Sequence, residues 1–238
     1  MEEKKTITKE DFEKLNTVAG SIFGSDKPDK IGGYNENAHL YDFYNETVGI
    51  PDQQVILKLL STRDLPKDTP ICDFGCGTGQ TARDLTKAGF TNFTGIDGSD
   101  GMLEIARKEG LYKKLHLGML GVGKLPEELK GRFKIAISTG LFSWGHGPAS
   151  TFVEMLESLT GEKGDIIIFS IRDDQYEDAG LGYKPALEKL AAEGLITLVA
   201  EERYDRYTNI NKDEVPEDSF IKPRQGIIVW YEHTGKKA

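Results

Sequence analysis

The feature that most constrains this chain is a run of three alternate glycines directly after a short apolar segment. Residues 71–74 read as a buried strand, Gly75, Gly77 and Gly79 follow it, and a helix is predicted from residue 80. Glycine has no Cβ, so it adopts positive φ and lets a ligand approach the backbone closely. A strand that ends in such a turn directs the N–H groups of a helix N-terminus at whatever binds there. The segment therefore predicts a nucleotide-type pocket.

The spacing of the glycines distinguishes two kinds of nucleotide pocket. The dinucleotide pattern G-x-G-x-x-G places its third small residue at the sixth position, where this chain has Gln80. Here the third glycine comes one residue earlier, and Asp73 stands two residues before Gly75. This D-x-G-x-G-x-G pattern resembles motif I of the class I S-adenosylmethionine-dependent methyltransferases. The resemblance implies a loop of candidate cofactor-binding residues: Asp73, Gly75, Cys76, Gly77, Thr78 and Gly79.

A second acid lies at the distance from the loop that such a pocket requires. Residues 93–96 read as a second strand, and Asp97 ends it, 18 positions after Gly79. An ionised carboxylate offers two acceptor oxygens, so Asp97 suits both hydroxyls of a ribose. Ser99 is placed to cap the following helix. The segment resembles the second methyltransferase motif and adds Gly98, Ser99 and Met102 to the candidate cofactor residues.

Each motif also has a purely structural interpretation. The glycines alone make a tight turn, and Asp97 alone caps a helix. Because both motifs occur together at this spacing, we favour the nucleotide site.

Strands and helices alternate from Pro70 onward, which predicts an α/β fold with a mostly parallel sheet and helices on both faces. The predicted strands are 71–74, 93–96, 115–117, 134–138, 165–170, 196–203 and 226–232, and the main predicted helices are 80–88, 100–108, 149–159 and 184–193. The last two strands read as a hairpin with a long insert at 204–225. The resemblance implies a Rossmann-like, seven-stranded sheet whose last strand is antiparallel.

The residues before the sheet read as helices. Residues 24–33 are polar and are predicted as a mobile loop between two of them, and Pro51 suits the first position of a third. We divide the chain into an N-terminal helical extension at 1–33 and a methyltransferase domain at 34–238 that begins with a helical lid. Tyr34 and Tyr41 belong to this lid and are candidate cofactor contacts, with packing of the helix as the alternative.

The loops after the third and fourth strands complete the predicted cofactor pocket. Many relatives carry an acid after the third strand, where this chain has Met119 and Leu120. We therefore expect apolar walls around the adenine, although both residues are also ordinary core residues. By the same resemblance, Thr139 and Gly140 line the methionine part of the cofactor.

Three residues near the ends of the fourth and fifth strands are candidate catalytic residues. Trp144 and His146 are placed to face the acceptor, and a histidine of near-neutral pKa accepts a proton readily. The alternative for His146 is a structural hydrogen bond within its loop. Arg172 suits a bidentate contact with an acidic acceptor, but pairing with Asp173 or Asp174 is the interpretation that we favour.

Several segments resemble one subgroup more closely. They are similar to the vertebrate methyltransferase-like proteins of the Williams–Beuren syndrome region, over roughly residues 34–232. The segments are 139–146, 95–99 and 110–112, the helix with Tyr34, Ala38, Tyr41 and Asp42, and Phe220-Ile221 with 226–228. The acceptor cannot be taken from this resemblance.

The composition limits which binding partners and which cellular compartment we expect. The net charge is −9, which argues against a broad basic face for nucleic acid, although a local basic groove is compatible with it. The longest apolar run, 166–169, is too short to span a bilayer. The two cysteines and four scattered histidines predict no metal site. Two thiols without a secretory signal favour the cytoplasm, or the nucleus.

We therefore expect an S-adenosylmethionine-dependent methyltransferase that releases S-adenosylhomocysteine and holds the acceptor atom in line with the S–CH₃ bond. A small molecule or a protein side chain is the expected acceptor. Two other classes stay open: a non-catalytic protein that binds the same cofactor as a sensor or activating subunit, and a nicotinamide-dependent oxidoreductase, against which Gln80 argues.

Overall fold

The computed structural model of the protein describes residues 9–23, 29–210 and 224–237. The helices in these residues are α1 (Lys9–Phe23), α2 (Lys30–Val48), α3 (Asp52–Leu60), α4 (Gln80–Lys87), α5 (Asp100–Glu109), α6 (Thr151–Ser158), α7 (Asp173–Tyr176) and α8 (Tyr183–Ala192). The strands are β1 (Ile71–Phe74), β2 (Phe93–Asp97), β3 (Tyr112–Leu117), β4 (Ile135–Phe142), β5 (Ile166–Arg172), β6 (Ile196–Arg206) and β7 (Arg224–His233).

The strands form one seven-stranded sheet with the order β3-β2-β1-β4-β5-β7-β6. The pairings β3·β2, β2·β1, β1·β4 and β4·β5 are parallel, whereas β7 is antiparallel to both β5 and β6. The predicted α/β class and the antiparallel last strand are therefore confirmed. Chain order reverses beside β1, and ligands of such sheets bind at the carboxyl ends of the strands near this point.

Successive residues of the central strands pack on opposite faces of the sheet, as the twofold period of a strand requires. On one face, Phe169 packs in a cluster with residues of α6, α7 and α8 such as Phe152. On the other face, Ile168 packs in a cluster with residues of α3 and α4 such as Ile56. Helices thus cover both faces, and this explains why β5 reads as an uninterrupted apolar run.

The N-terminal helices form a separate layer. Leu15 and Val18 of α1 pack against Tyr44 and Val48 of α2 in a third apolar cluster. The side chain of Asn35 joins α2 to the beginning of α5, because its Oδ1 accepts hydrogen bonds from the Ser99 hydroxyl at 2.7 Å and the backbone N–H at residue 101 at 2.9 Å. This contact places α2 over the carboxyl ends of β1 and β2.

Several predicted boundaries differ from the structure. Helix α2 begins at Lys30, where the Asp29 carboxylate caps it, so residues 30–33 are helical rather than loop. Strand β3 begins at residue 112, whereas the prediction began it at 115. The start was missed because the strand is partly exposed at the edge of the sheet and its sequence has no apolar pattern. Strand β4 continues to residue 142 through an irregular register, and the hairpin insert is shortened to 207–223.

Two further predictions fall partly or wholly outside the described residues: the loop at 24–28 and the resemblance at Phe220-Ile221. The division of the chain at residue 33 stays a prediction, and α2 runs across it. None of the described helices combines the length and the apolar character needed to cross a membrane.

Candidate functional site

The glycine loop after β1 is bent as the sequence predicts. Gly75, Gly77 and Gly79 have φ values of +71°, +53° and +93°, which L-residues with side chains rarely adopt. A Cβ on Gly77 would meet no atom of the described residues within 4 Å, so these residues leave the space in front of it open. The N–H of Gly75 donates to the Ile96 carbonyl at 2.8 Å and ties the loop to β2. The loop thus presents bare backbone to a ligand.

Asp97 lies directly beside this loop. One carboxylate oxygen accepts the N–H of Gly77 and the other accepts the N–H of Ser99, both at 2.8 Å. Burial raises the pKa of Asp97, and these backbone donors offset part of that rise. Each carboxylate oxygen has a second lone pair for a further donor. The orientation of Asp97 is therefore set by the loop and by the cap of α5, before any ligand binds.

A cavity of about 240 Å³, here called the cofactor cavity, lies between α2 and the loop. Asp97, at the end of β2, brings its carboxylate to one wall. Most of the predicted cofactor residues line this cavity: Tyr34, Tyr41, Gly75, Gly77, Asp97, Gly98, Met102, Met119, Leu120, Thr139 and Gly140. The sulfur of Met119 would lie 3.0 Å from a Cβ on Gly98, so these two residues form one narrow wall.

Five predicted cofactor residues do not line the cofactor cavity, and three of them, Asp73, Gly79 and Ser99, have structural roles. Asp73 is 1% exposed and accepts a hydrogen bond from the Tyr112 hydroxyl at 2.7 Å. Gly79 packs against the ring of Tyr112, and Ser99 caps α5 by accepting the N–H of Met102 at 3.2 Å. Asp73 and Gly79 therefore support the loop from behind, and Ser99 holds Asp97 through its backbone.

Burial also changes the protonation of Asp73. Loss of solvent raises its pKa to about 7, with the Tyr112 hydrogen bond opposing the rise and the charge of Asp97 adding to it. The second oxygen, Oδ1, is buried without a hydrogen-bond partner among the described residues. Close to neutral pH, Asp73 is thus partly protonated beneath the loop.

Aromatic side chains of α2 form the roof over the site. The rings of Tyr34 and Tyr41 meet edge-to-face at 5.9 Å, and Tyr34 meets His146 in the same way at 5.6 Å. Desolvation raises the pKa of Tyr41 to about 12, so its hydroxyl is a protonated donor at neutral pH. The roof therefore joins the lid helix to the loop after β4.

Residues at the end of β4 connect the loop to a polar network. The hydroxyl of Thr139 lies 2.8 Å from that of Thr81 and accepts from Gln53 at 3.3 Å. The N–H of Gly140 donates to the Ser170 hydroxyl at 3.1 Å, and Ser170 in turn donates to buried Asp52. Fixed backbone at Thr139 and Gly140 is what a site needs beside a reacting group.

A second cavity, of about 600 Å³ and here called the outer cavity, adjoins the first. It extends from the loop toward the ends of β5, β6 and β7. Six residues line both cavities, so the two spaces meet around them: Tyr41, Gly75, Gly77, Thr139, Gly140 and His146. Cys76 and Thr78 of the predicted loop line only the outer cavity.

The predicted catalytic residues all lie on the outer cavity. His146 Nδ1 stands 2.9 Å from the Trp144 carbonyl, which only accepts, so Nδ1 carries the proton and the lone pair is on Nε2. Burial, helped by the charge of Lys30, lowers the pKa of His146. The Trp144 side chain is 63% exposed at the rim. Arg172 pairs with Asp174, the interpretation favoured from the sequence.

Charged residues at the far end of the outer cavity were not predicted from the sequence. Arg206 and Arg224 stand opposite each other on β6 and β7, and Arg206 pairs with Asp52 at 3.0 Å. Asp52 also accepts from Tyr204 at 2.6 Å. These residues carry no local motif, because the antiparallel register of the hairpin brings them together.

Comparison with known proteins finds similarity to methyltransferases. Residues 71–162 match a family model described as a methyltransferase domain. Methyltransferase-like protein 27 of Homo sapiens is 36% identical over 123 residues, which are 52% of this chain and 47% of that protein. The matched region thus spans about half the length of this curated relative.

Solved structures share the fold at low sequence identity. The proposed methyltransferase in a Haloferax volcanii complex with a methyltransferase activator has a TM-score of 0.62 at 14% identity, over 89% of this chain and 99% of that one. Magnesium protoporphyrin IX methyltransferase from Synechocystis, solved with bound S-adenosylmethionine, has a TM-score of 0.53 at 15% identity, over 92% and 90%. At these identities the likeness concerns the fold.

Proposed function

We propose that the chain is a class I S-adenosylmethionine-dependent methyltransferase, as its matches to a methyltransferase domain and to a methyltransferase-like protein suggest, and that it transfers a methyl group from this cofactor to an acceptor in the outer cavity. The observation that carries the proposal is the placement of Asp97 beside the open backbone of Gly77, at the reversal point of the sheet. A small molecule or a protein side chain is the acceptor.

The residues around the cofactor cavity fit the cofactor's chemistry. Asp97 has lone pairs for two ribose hydroxyls. Met102, Met119 and Leu120 offer apolar, polarisable surface to an adenine ring. Tyr41 offers a hydroxyl donor to the methionine carboxylate. We therefore assign the adenosine to the cofactor cavity and the sulfonium to the junction of the two cavities at Gly140.

When bound, the cofactor supplies a methyl group that is already activated on sulfur: the S–CH₃ bond breaks, its electron pair stays on sulfur, and the acceptor atom gains the methyl group and loses a proton. The task of the chain is to align the acceptor and exclude water. Positioning of this kind lowers a barrier by roughly 7–11 kcal/mol. Tyr34 and Tyr41 shield the junction, and His146, which lines both cavities, is the candidate base for the acceptor's proton.

A second candidate is a protein that binds S-adenosylmethionine without transferring its methyl group, as a sensor or activating subunit. The exposed Trp144 at the rim favours it, because large exposed aromatic side chains are enriched in protein interfaces. Turnover of any acceptor would distinguish the methyltransferase from the non-catalytic binding protein.

Both buried cysteines are free thiols, which suits a reducing compartment such as the cytoplasm.

Calorimetric titration with S-adenosylmethionine and S-adenosylhomocysteine tests the proposal. Micromolar binding of both is the expected result for the wild-type chain. Asp97→Ala should weaken binding by at least about tenfold, because it leaves the ribose hydroxyls and two backbone N–H groups without an acceptor. Asp64→Ala removes an exposed carboxylate outside both cavities and should change nothing. Absence of binding to the wild-type chain would overturn the proposal.

A further inference from the structure

Three arginines lie in a row at one end of the outer cavity. Arg172 ends β5, Arg224 begins β7 and Arg206 ends β6, and these are adjacent strands of the sheet. The glycine loop follows β1, and β4 separates β1 from β5. The row therefore lies on the side of the junction away from the adenosine assigned above.

Cations outnumber carboxylates in this part of the cavity. Among the described lining residues, the acids are Asp52 and Asp174, against three guanidinium groups. Asp174 is shared, because it pairs with Arg172 and also lies 3.6 Å from Arg224. Asp52 holds Arg206. One positive charge is thus left over inside the cavity, in a protein whose net charge is −9.

Some of the buried donors in this row also lack acceptors. Arg206 is 8% exposed, and its Nε donates to no group among the described residues. The Nε of Arg224 is likewise buried and has no acceptor there. A buried donor without an acceptor costs free energy, so native structures seldom contain one unless a ligand completes it. Both arginines line the outer cavity.

A neutral acceptor lies next to the arginines. Gln175 is 4% exposed, lines the same cavity, and its Oε1 has no donor among the described residues. An amide oxygen in this position favours an N–H or O–H group. The cavity thus combines donors for an anion with one acceptor for a polar hydrogen, and Tyr207 adds an aromatic wall.

We propose that the methyl acceptor is a small organic anion and that the guanidinium groups of Arg206 and Arg224 bind its carboxylate. The inference rests on the proposed function, because it assigns the outer cavity to the acceptor. Planar guanidinium groups match carboxylates in geometry and charge. Gln175 accepts from a hydroxyl or amino group elsewhere on the same molecule. The carboxylate anchors the acceptor, and another of its atoms reaches the junction at Gly140.

The test uses the full chain saturated with S-adenosylhomocysteine, whose binding is measured first. Acetate, hexanoate and phenylacetate are titrated beside acetamide, hexanamide and phenylacetamide at constant ionic strength, with NMR shifts as the readout. At least one acid should bind about tenfold more tightly than its amide. Arg224→Gln should remove this preference, and Arg206→Lys should reduce it because lysine lacks the planar fork.

Arg203→Gln is the matched control. Arg203 also lies on β6 and also pairs with acids, Asp173 and Glu177, but it lies outside the cavity. This variant should keep the full preference for acids. Arg224 is one-third exposed, so its replacement is not expected to unfold the chain.

Two outcomes overturn the inference while leaving the proposed function intact. One is normal binding of S-adenosylhomocysteine with no preference for any acid over its amide. The other is a loss of S-adenosylhomocysteine affinity in Arg224→Gln that exceeds its loss of acid binding, because the arginine would then hold the cofactor's own carboxylate. Absence of S-adenosylhomocysteine binding in the wild-type chain instead rejects the proposed function itself.

Discussion

The backbone of Gly101 passes so close to Asn35 that a Cβ on Gly101 would stand 2.9 Å from the Asn35 Cα and 3.0 Å from its carbonyl oxygen. The Asn35 side chain reinforces this approach by accepting the N–H of Gly101. The lid helix α2 is thus docked onto the start of α5, the helix that follows Asp97. One glycine determines how near the roof of the cofactor cavity lies to its floor.

Gly101→Ala should therefore lift α2 away from α5. The new methyl group meets backbone rather than a flexible side chain, and such overpacking costs roughly 1–3 kcal/mol. We expect the dissociation constant of S-adenosylhomocysteine to rise by about tenfold, because Tyr34 and Tyr41 move with the helix. Calorimetry measures this change directly.

Gly20→Ala is the matched control for that variant. Gly20 also lies in a helix, α1, but a Cβ there meets no atom within 4 Å in the part of the chain that the structure describes. Alanine should raise helix stability by roughly 0.5–1 kcal/mol and leave cofactor affinity unchanged. Equal affinities for the two alanine variants would contradict the role given to Gly101.

Asp73→Asn should change how stability depends on pH. The folded pKa of Asp73, about 7, lies above its ordinary value of 3.8, so folding takes up a proton between these values. Wild-type stability therefore falls as pH rises from about 4 to 7, and the penalty is complete above 7. Asparagine has no such penalty.

The free energy of unfolding in urea, measured for both proteins from pH 5 to 8, checks this prediction. The difference between Asp73→Asn and wild type should shift in favour of the variant as pH rises and level off above pH 7. The fixed cost of the amide is the same at every pH and does not affect the slope. Parallel pH curves would show that Asp73 has an ordinary pKa.

His146→Gln tests the protonation of the histidine without needing an acceptor. Burial lowers the folded pKa of His146 below 6.5, so the folded state resists its protonation. The wild-type chain therefore loses stability as pH falls through about 6.5, and the variant does not. The other three histidines are present in both proteins, so their contributions cancel.

Urea unfolding at pH 8 and at pH 5.5 measures this effect. The stability advantage of wild type over His146→Gln should shrink on acidification. A constant advantage would mean that His146 is protonated as easily as in the unfolded chain, and its role as a proton acceptor near neutral pH would lose its basis.

Asp52→Asn should be strongly destabilising. Asp52 is 1% exposed and accepts from Ser170, Tyr204 and Arg206, so the amide leaves a buried guanidinium without its countercharge. Breaking one side of a buried pair typically costs about 3–5 kcal/mol. Adding Arg206→Gln removes the stranded charge and should recover part of the loss. Additive effects of the two substitutions, measured by urea unfolding, would refute this coupling.

The predictions made from sequence succeeded where residues close together in the chain determine the structure. Gly75, Gly77 and Gly79 adopt the positive φ that their spacing indicates, and Ser99 caps α5 as predicted. Asp97 follows the end of a strand, and parallel strands bring their carboxyl ends to one edge of the sheet. Local pattern and topology were sufficient to place these groups together.

Other features depend on contacts between distant residues, and no local pattern reports them. Asp73 accepts a hydrogen bond from Tyr112, which lies 39 positions later in the chain, and no motif indicates this contact. Arg206 and Arg224 are opposed only because β6 and β7 pair in one register. A shift of one residue in that register would turn one arginine to the other face of the sheet.

The sheet order has a consequence for the growing chain. Strand β7 follows β6 in the chain and is the last of these seven strands to be synthesised, yet it lies between β5 and β6. Until Arg224–His233 leaves the ribosome, one edge of the apolar strand β5 has no hydrogen-bonding neighbour. Such an edge is open to pairing with other chains. During synthesis there is therefore an interval in which this edge of β5 is unpaired, and the arginine row is completed only when that interval ends.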